Sequence, residues 1–401
     1  AATVLPEEDI GSTLVPGAFL LLLGALVAGD VLTVDWWFAP TWWSMVFVGD
    51  WTIPIATSLG SLLAVWSAGK ARGGFGAAGR QTGAFGLIAV NAAAMLSVLL
   101  LVVGYVTAKG LPMLLEGAGL TGTLSLGPVS LPWVSLPFVT NPTQSLFVDV
   151  PGVMPAIMGT VWLVVGAVAF AVPFGVGAAV FLTEYADSGR FTSVVEIATN
   201  GLWSTPSIVY GLFGFVFLLP RFADGGSNIL SGQLVLGFML LPLVLITSRE
   251  AIMAVPKEQR DASAALGVSK WETIRSVVLP SAAPGIVTGV ILGVGRIAGE
   301  TAPILLTIRA SNFPRSSPGV LDSFRFVGSP PFVTNDGLLQ GGSALPLQLY
   351  TTISAGQSPR PSEYTQSEFG WGVALVLLLV VLGFYAIGIA SRIYFRRKLT
   401  Q

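Results

Sequence analysis

The chain has 401 residues, 53% of them hydrophobic and only 10% charged, with a mean hydropathy of +0.77. Soluble domains carry about 25% charged residues, so a polytopic membrane protein is expected. There is no cysteine and no histidine, which excludes disulfides, thiolate nucleophiles, Cys/His zinc sites and imidazole acid–base chemistry. The net charge of −1 carries little information, because the placement of Lys and Arg, not their sum, orients a membrane protein.

Apolar runs of the roughly 20 residues needed to cross a bilayer lie at Leu14–Val34, Ser44–Ala68, Gly83–Thr107, Val153–Thr183, Val194–Leu219, Ile229–Ile246, Ala282–Ile308 and Gly370–Ala390. They predict an all-α protein with about eight transmembrane helices, the second run being the weakest. Glu7, Glu8 and Asp9 precede the first run where a secretory signal would be basic, so the first span is expected to be retained. Tryptophans 36, 37, 42, 43 and 51 cluster around the first outer turn, as interfacial anchors do.

The connections sort by charge. Lys70, Arg72 and Arg80 follow the second run and Arg190 follows the fourth. Arg249, Lys257, Arg260, Lys270 and Arg275 follow the sixth, and Arg392, Arg396, Arg397 and Lys398 close the chain. Alternation puts all of them on one side, which the positive-inside rule makes cytoplasmic, with both termini. The segments Lys109–Pro151 and Arg309–Phe369, rich in Pro, Gly, Ser and Thr, are then external loops with room for short strands or surface helices. The Gly-rich link at Gly69–Arg80 lacks the Gly-Lys-Ser/Thr ending of a phosphate-binding loop, and no Walker sequence occurs in the chain. Energy must come from a gradient or a partner.

Two charges fall inside the seventh run, in Arg296-Ile-Ala-Gly-Glu300-Thr301-Ala-Pro303. Intramembrane charges are functional suspects. At 3.6 residues per turn, Gly285, Gly289, Gly293, Arg296 and Glu300 share a face about 80° wide, and a Gly-x-x-x-Gly face invites a neighbouring helix to pack closely. Pro303 is expected to free the carbonyl of Gly299 and kink the helix there. A basic residue N-terminal to its acid at i,i+4 is the weaker orientation for helix stability, which favours a transport role for Arg296, with Glu300 holding it in place. In the fifth run Ser204, Thr205 and Ser207 flank Pro206. They either satisfy the carbonyl of Leu202 that the proline frees or contribute to a substrate path.

The cytoplasmic segment 249–280 reads as two short helices with a glycine elbow. Pro256 suits a first turn, Asp261 to Leu266 continue as a helix, and Gly267 can adopt the left-handed conformation that ends one. Ser269 with Glu272 forms a capping box, and Pro280 marks the entry to the next span. The apolar side, Ala265, Leu266 and Trp271, is expected either to be buried against the membrane helices or to be offered to another protein.

Asp261-Ala262-Ser263, Gly267 and Leu279-Pro280 have the spacing of the EAA loop (Glu-Ala-Ala, then Gly, then Leu-Pro), with Asp for Glu and Ser for Ala. The chain therefore resembles the permeases of ATP-binding-cassette importers. Arg296 to Pro303, Pro206-Ser-Ile-Val-Tyr-Gly-Leu-Phe213 and Val172-Pro-Phe-Gly-Val-Gly177 leading to Thr183-Glu184-Tyr185 are similar to the A-type permease family of phosphate-specific transporters. The likeness covers Val153 to Thr307 well and the last helix loosely.

The resemblance implies a type I (MetI-like) importer permease core at 151–401, preceded by an N-terminal membrane extension at 1–150, in the cytoplasmic membrane of a prokaryote. It implies a half-channel for inorganic phosphate that pairs with a second, homologous permease of PstC type. Its EAA loop would dock on an ATPase dimer of PstB type, and a PstS-like extracytoplasmic phosphate-binding protein would deliver the anion, with the external loop 309–369 well placed to meet it. The substrate path would include Arg296, Glu300, Thr301, Ser204 and Thr205. Asp261, Ala262, Ser263, Leu266, Gly267 and Trp271 would form the coupling loop, and Gly285, Gly289 and Gly293 would serve packing. The chain would need no cofactor, ATP and magnesium being used by the ATPase, and its surroundings would be lipid, with no nucleic acid. Two other readings compete: a permease for another oxyanion such as sulfate or molybdate, and an ion-coupled carrier or channel using Arg296 and Glu300 as its relay. A hydrolase is disfavoured, since Asp322, Asp336, Glu363 and Glu368 show no acid–base spacing.

Overall fold

The computed structural model of the protein describes residues 7–40, 46–126, 129–142, 150–187, 189–222, 225–308, 319–328, 333–356 and 364–399. Its helices in chain order are α1 (Glu7–Ala28), α2 (Gly49–Arg72), α3 (Gly76–Leu115), α4 (Met154–Tyr185), α5 (Arg190–Ser204), α6 (Ser207–Phe222), α7 (Ile229–Met253), α8 (Lys257–Ala265), α9 (Lys270–Ala298), α10 (Ala302–Thr307), α11 (Leu345–Ala355) and α12 (Gln366–Leu399). Among the described residues seven helices are long and apolar enough to span a membrane, and an eighth span results if α5 and α6 are taken together. The protein is a multi-pass, all-helical membrane protein. Helices satisfy every backbone polar group within the segment, which hydrocarbon demands.

Two of the expected spans are broken. The run at Val194–Leu219 is a pair of helices, α5 and α6, meeting at 100°. Pro206 has no amide hydrogen and drives the residue before it out of helical conformation, and Thr205 has φ −66° and ψ 130°. The run at Ala282–Ile308 is also interrupted, where a kink was expected. α9 ends at Ala298, Gly299 to Thr301 are not helical, and Pro303 lies in the first turn of α10, where a missing amide is harmless.

The chain divides into two compact units, Ala1–Tyr105 and Val106–Gln401, with the division inside α3. At 40 residues this helix is about 60 Å long, against a hydrocarbon core of about 30 Å. In the first unit α1 packs on α2, with a buried ion pair between Asp9 and Lys70 at 3.1 Å. A two-residue ladder pairs Trp37 with Val48 and Phe38 with Phe47, and Trp36 stacks on Phe38 at 6.2 Å. Trp42 and Trp43 lie outside the described residues.

In the second unit the close partners are α4 and α7, and small residues make the approach possible. A Cβ on Gly166 would meet the Gln233 side chain at 2.2 Å, and one on Gly175 would meet Val244 at 2.8 Å. Gln233 Nε2 donates to the carbonyl of Trp162 at 2.8 Å across this interface. The central core joins Leu163, Ala167, Leu236, Leu240, Ile297 and Ile304 from α4, α7, α9 and α10. A second core joins Met113 and Leu114 of α3, Phe138 and Val150 to Val373 and Val376 of α12. Met113, Leu114, Phe138 and Val150, grouped from sequence with the N-terminal extension, thus contribute side chains to the second unit.

The segments expected to be external hold short antiparallel ladders, Gly119–Leu126 with Val129–Ser135 and Phe324–Phe326 with Val333–Asn335. The stretch after Asn335 is structural. The carbonyls of Leu338 and Gln340 accept from the amides of Leu230 (2.9 Å) and Ile229 (3.1 Å), capping the otherwise unpaired first turn of α7. Asn228 completes that cap, its side chain accepting from the amide of Ser231 at 2.7 Å.

Candidate functional site

The two helix breaks face each other. Gly211 on α6 sits so close to α10 that a Cβ there would be 2.9 Å from Pro303 Cα and 3.3 Å from the carbonyl of Ala302; one on Gly214 would lie 2.5 Å from Thr307. Across the same region Arg296, near the end of α9, lays its guanidinium on the ring of Trp203, near the end of α5, at 4.3 Å from the ring centre. Irregular backbone within apolar runs is tolerated where protein buries it or a cavity is lined by it.

The geometry of Arg296 is open. Its Nε is 3.9 Å from Glu300 Oε1, and the two side chains are 42% and 18% exposed. That separation is beyond a hydrogen bond. Glu300 lies past the end of α9 and so does not share a helix face with the glycines, as the wheel had placed it. Its amide is held by the carbonyl of Ile297 at 3.3 Å, and Thr301 accepts from Leu305 N at 2.9 Å at the start of α10. The guanidinium is thus fixed from one side by an aromatic face, an arrangement that leaves donors for a further oxyanion.

Ser204, exposed, and Thr205, half-buried, stand at the other break, and both hydroxyls donate to the carbonyl of Gly201, at 3.0 and 2.8 Å. The carbonyl of Leu202, which they were expected to satisfy, accepts instead from the Tyr210 hydroxyl at 2.9 Å and from the amide of Thr205 at 3.1 Å. Thr205 also borders an apolar pocket of about 350 Å³ with Leu202, Tyr210, Phe213 and Phe238. The glycine stripe of α9 turns to α7: Cβ atoms at Gly285, Gly289 and Gly293 would meet Ala251, Thr247 and Leu240 at 2.7, 2.0 and 2.2 Å.

The loop between α7 and α9 is a rigid knob. Pro256 stands just before the first turn of α8 and Gly267 has φ +74°, a conformation that strains any residue with a Cβ. Ser269 caps α9, accepting from Glu272 N at 3.3 Å, while the Glu272 carboxylate accepts from Ser276 Oγ at 2.9 Å and leaves the reciprocal half of the box unmade. The hydroxyls of Ser263 and Thr273 meet at 2.8 Å in a buried contact that ties α8 to α9. Leu266 is 83% and Trp271 55% exposed; Asp261, Ala262 and Ala265 are exposed as well. Of the two expectations for the apolar side, the structure has the outward one.

Sequence reasoning missed the anchors of this knob. Arg260 donates to Glu184 Oε1 from Nε (3.2 Å) and Nη2 (3.0 Å), to the carbonyl of Val255 from Nη1 (2.6 Å) and to that of Ile252 from Nη2 (2.9 Å). In the sequence Glu184 is only a charge just past the fourth apolar run. Arg249 on α7 pairs with Glu196 on α5 at 2.6 Å, beside a pocket of about 300 Å³ that includes Thr199, Asn200 and Glu250. Trp203 was likewise missed. All three pairings join residues distant in sequence, so the only available signal was a charge or aromatic residue at the edge of an apolar run.

Residues 171–317 match the model of the family described as binding-protein-dependent transport system inner membrane component. The phosphate transport system permease protein PstA of Mycobacterium leprae (strain TN) is 35% identical over 250 residues, 62% of this chain and 72% of that protein. PstA 1 of Mycobacterium tuberculosis (strain CDC 1551 / Oshkosh) is 34% identical over 57% of this chain and 67% of its own length. The probable ABC transporter permease protein YqgI of Bacillus subtilis (strain 168) is 37% identical over 39% of this chain, which spans 53% of that relative. Among solved structures, an inward-facing form of the MetNI methionine ABC transporter aligns with a TM-score of 0.45 and 14% identity over 60% of this chain and 94% of the other.

Proposed function

Because the chain belongs to the family of binding-protein-dependent transport system inner membrane components, we propose that it is the permease subunit of an ATP-binding-cassette importer whose cargo is inorganic phosphate. It is a non-catalytic membrane component. The phosphate reading is supported by relatives named as phosphate permeases that are 34–35% identical over most of their length. The observation that carries a direct role in the path is Arg296, stacked on Trp203 and 3.9 Å from Glu300. Its charge is permanent and its donors form a planar fork that matches a tetrahedral oxyanion.

In this reading the protein pairs with a second permease, receives phosphate from an extracytoplasmic binding protein and rests its knob on an ATPase dimer. Leu266 and Trp271 are the apolar contacts offered to the ATPase, with Asp261, Ala262, Ser263 and Gly267 shaping the knob. Hydrolysis in the ATPase moves the knob as a rigid body. Phosphate passes Arg296 while Glu300 keeps the empty path near neutral, and Thr301, Ser204 and Thr205 line the two breaks around it. Both termini are cytoplasmic.

The test is ATP-driven uptake of labelled phosphate into vesicles carrying this chain with its neighbouring permease, ATPase and binding protein. Phosphate-selective, ATP-dependent uptake is expected. Equal competition by sulfate would favour a general oxyanion permease, and uptake driven by a proton or sodium gradient without ATP would favour an ion-coupled carrier.

A further inference from the structure

On the reading that the chain is an ATP-driven permease, we propose that the Arg260–Glu184 pair is the joint through which the knob moves α4. Arg260 is a positioning residue in this role: it touches no substrate and acts through the helix end that it grips.

The knob is one body, closed by the buried contact between Ser263 and Thr273 and by the apolar cluster of Ile274, Val278, Ile252 and Val180 at its base. Both of its helices reach the same turn of α4. From α8, Arg260 places two donors on Glu184. From the start of α9, Lys270 sets its ammonium 5.1 Å from the ring centre of Tyr185. That turn, Phe181–Tyr185, is π-helical, a local widening frequent at functional sites. The carboxylate is 11% and the guanidinium 24% exposed, so the contact is shielded from competing water.

The remaining donors of Arg260 hold the carbonyls of Ile252 and Val255 at the end of α7. One guanidinium therefore joins the knob to the end of α4, which has no direct covalent link to it, as well as to the end of α7, which runs into α8 through residues 254–256. α4 and α7 pack along their length, and α7 carries the glycine stripe of α9 that ends at Arg296. A displacement of the knob reaches the substrate path by α9 directly and by α4 through this pair, a continuous chain of packed rigid elements. Removing the charge of Glu184 leaves the knob, its exposed apolar side and its ATPase contact in place while reducing the second route to the Lys270–Tyr185 contact and the packing of Val180.

The experiment measures phosphate imported per ATP hydrolysed by the complete complex in proteoliposomes, for wild type, Glu184→Gln and Glu184→Asp, with assembly scored by co-purification of the ATPase. Glu184→Gln is expected to assemble and hydrolyse ATP while the ratio falls at least about fivefold, the lower end of ordinary coupling strengths. Glu184→Asp, which keeps the charge, is expected to keep most of the ratio. A wild-type ratio in Glu184→Gln overturns the inference alone, as do equal losses in both variants or failure of both to assemble, which would make Glu184 a packing residue. If Glu184→Gln alone fails to assemble, the pair is a docking strut and the inference is again overturned. A wild-type complex that hydrolyses ATP without importing phosphate breaks the phosphate reading and this inference with it.

Discussion

Two ion pairs, one joining the start of α1 to the end of α2 and one at the end of α9, behave in opposite ways. Lys70 and Asp9, 61 positions apart, are 1% and 8% exposed and 3.1 Å apart, and the surrounding groups complete them: Lys70 also bonds the Ser12 hydroxyl, and Asp9 Oδ2 accepts from the amide of Gly76 at 3.3 Å. Arg296 and Glu300, four positions apart, are partly exposed and 3.9 Å apart, and Arg296 is braced by an aromatic ring. A buried pair that also bonds its neighbours has little left for a ligand. An unsaturated guanidinium held by its flat face does. Saturation, not the presence of charge in an apolar run, separates a structural pair from a site.

The sharpest test of that difference is Lys70→Met. Leaving a carboxylate in this packed site without its partner is strongly destabilising, so thermal unfolding or proteolysis in detergent should show the first unit loosened. Adding Asp9→Leu should recover most of the loss, because an apolar pair of similar volume replaces a buried ion pair with little penalty. If the double variant is as unstable as the single, the pair has a role beyond its own neutralisation.

Arg296→Gln should do the reverse, sparing stability and removing transport. Losing a charge-assisted contact to the anion is worth about 1.5–3 kcal/mol, at least about tenfold in uptake, with the complex still assembled. Normal uptake in Arg296→Gln would return Arg296 to the structural class.

The sequence made one pair visible and hid the other for a physical reason. Spacings of four within a run can be read from helical periodicity, whereas Asp9 with Lys70, or Glu184 with Arg260 at 76 positions, requires knowing which helices touch. The runs themselves, the glycine elbow and the cap at Ser269 were legible because they are local. The break at Gly299–Thr301 was not. Pro303 signalled an irregularity, but whether a proline kinks a helix or starts a new one depends on what packs against it, here α6 at Gly211. The outward turn of Leu266 and Trp271 was also undecidable, since amphipathic patterning tells that a face is apolar and not what covers it.

Gly267→Ala tests the knob at smaller cost. A Cβ in left-handed backbone is worth about 1–2 kcal/mol, while open space surrounds the position, with nothing within 4 Å of a built Cβ. Strain alone should therefore loosen the elbow, lowering phosphate imported per ATP with little change in stability of the membrane helices. Gly267→Asp, bulkier and charged at the exposed tip, should in addition weaken co-purification with the ATPase. Tight coupling in both would mean that the elbow's conformation is immaterial.

The smallest effect belongs to Trp203→Leu, and it bears most directly on what makes Arg296 different from Lys70. Leucine preserves an apolar support but removes the negative ring face, worth about 0.5–1 kcal/mol at a partly exposed site. If the ring only positions the guanidinium, the phosphate concentration for half-maximal uptake should rise about two- to fivefold with the maximal rate nearly unchanged. Trp203→Phe, which keeps a ring, should lie between. A fall in maximal rate with unchanged half-saturation would mean instead that the α5 break itself moves during transport and that Trp203 belongs to the gate.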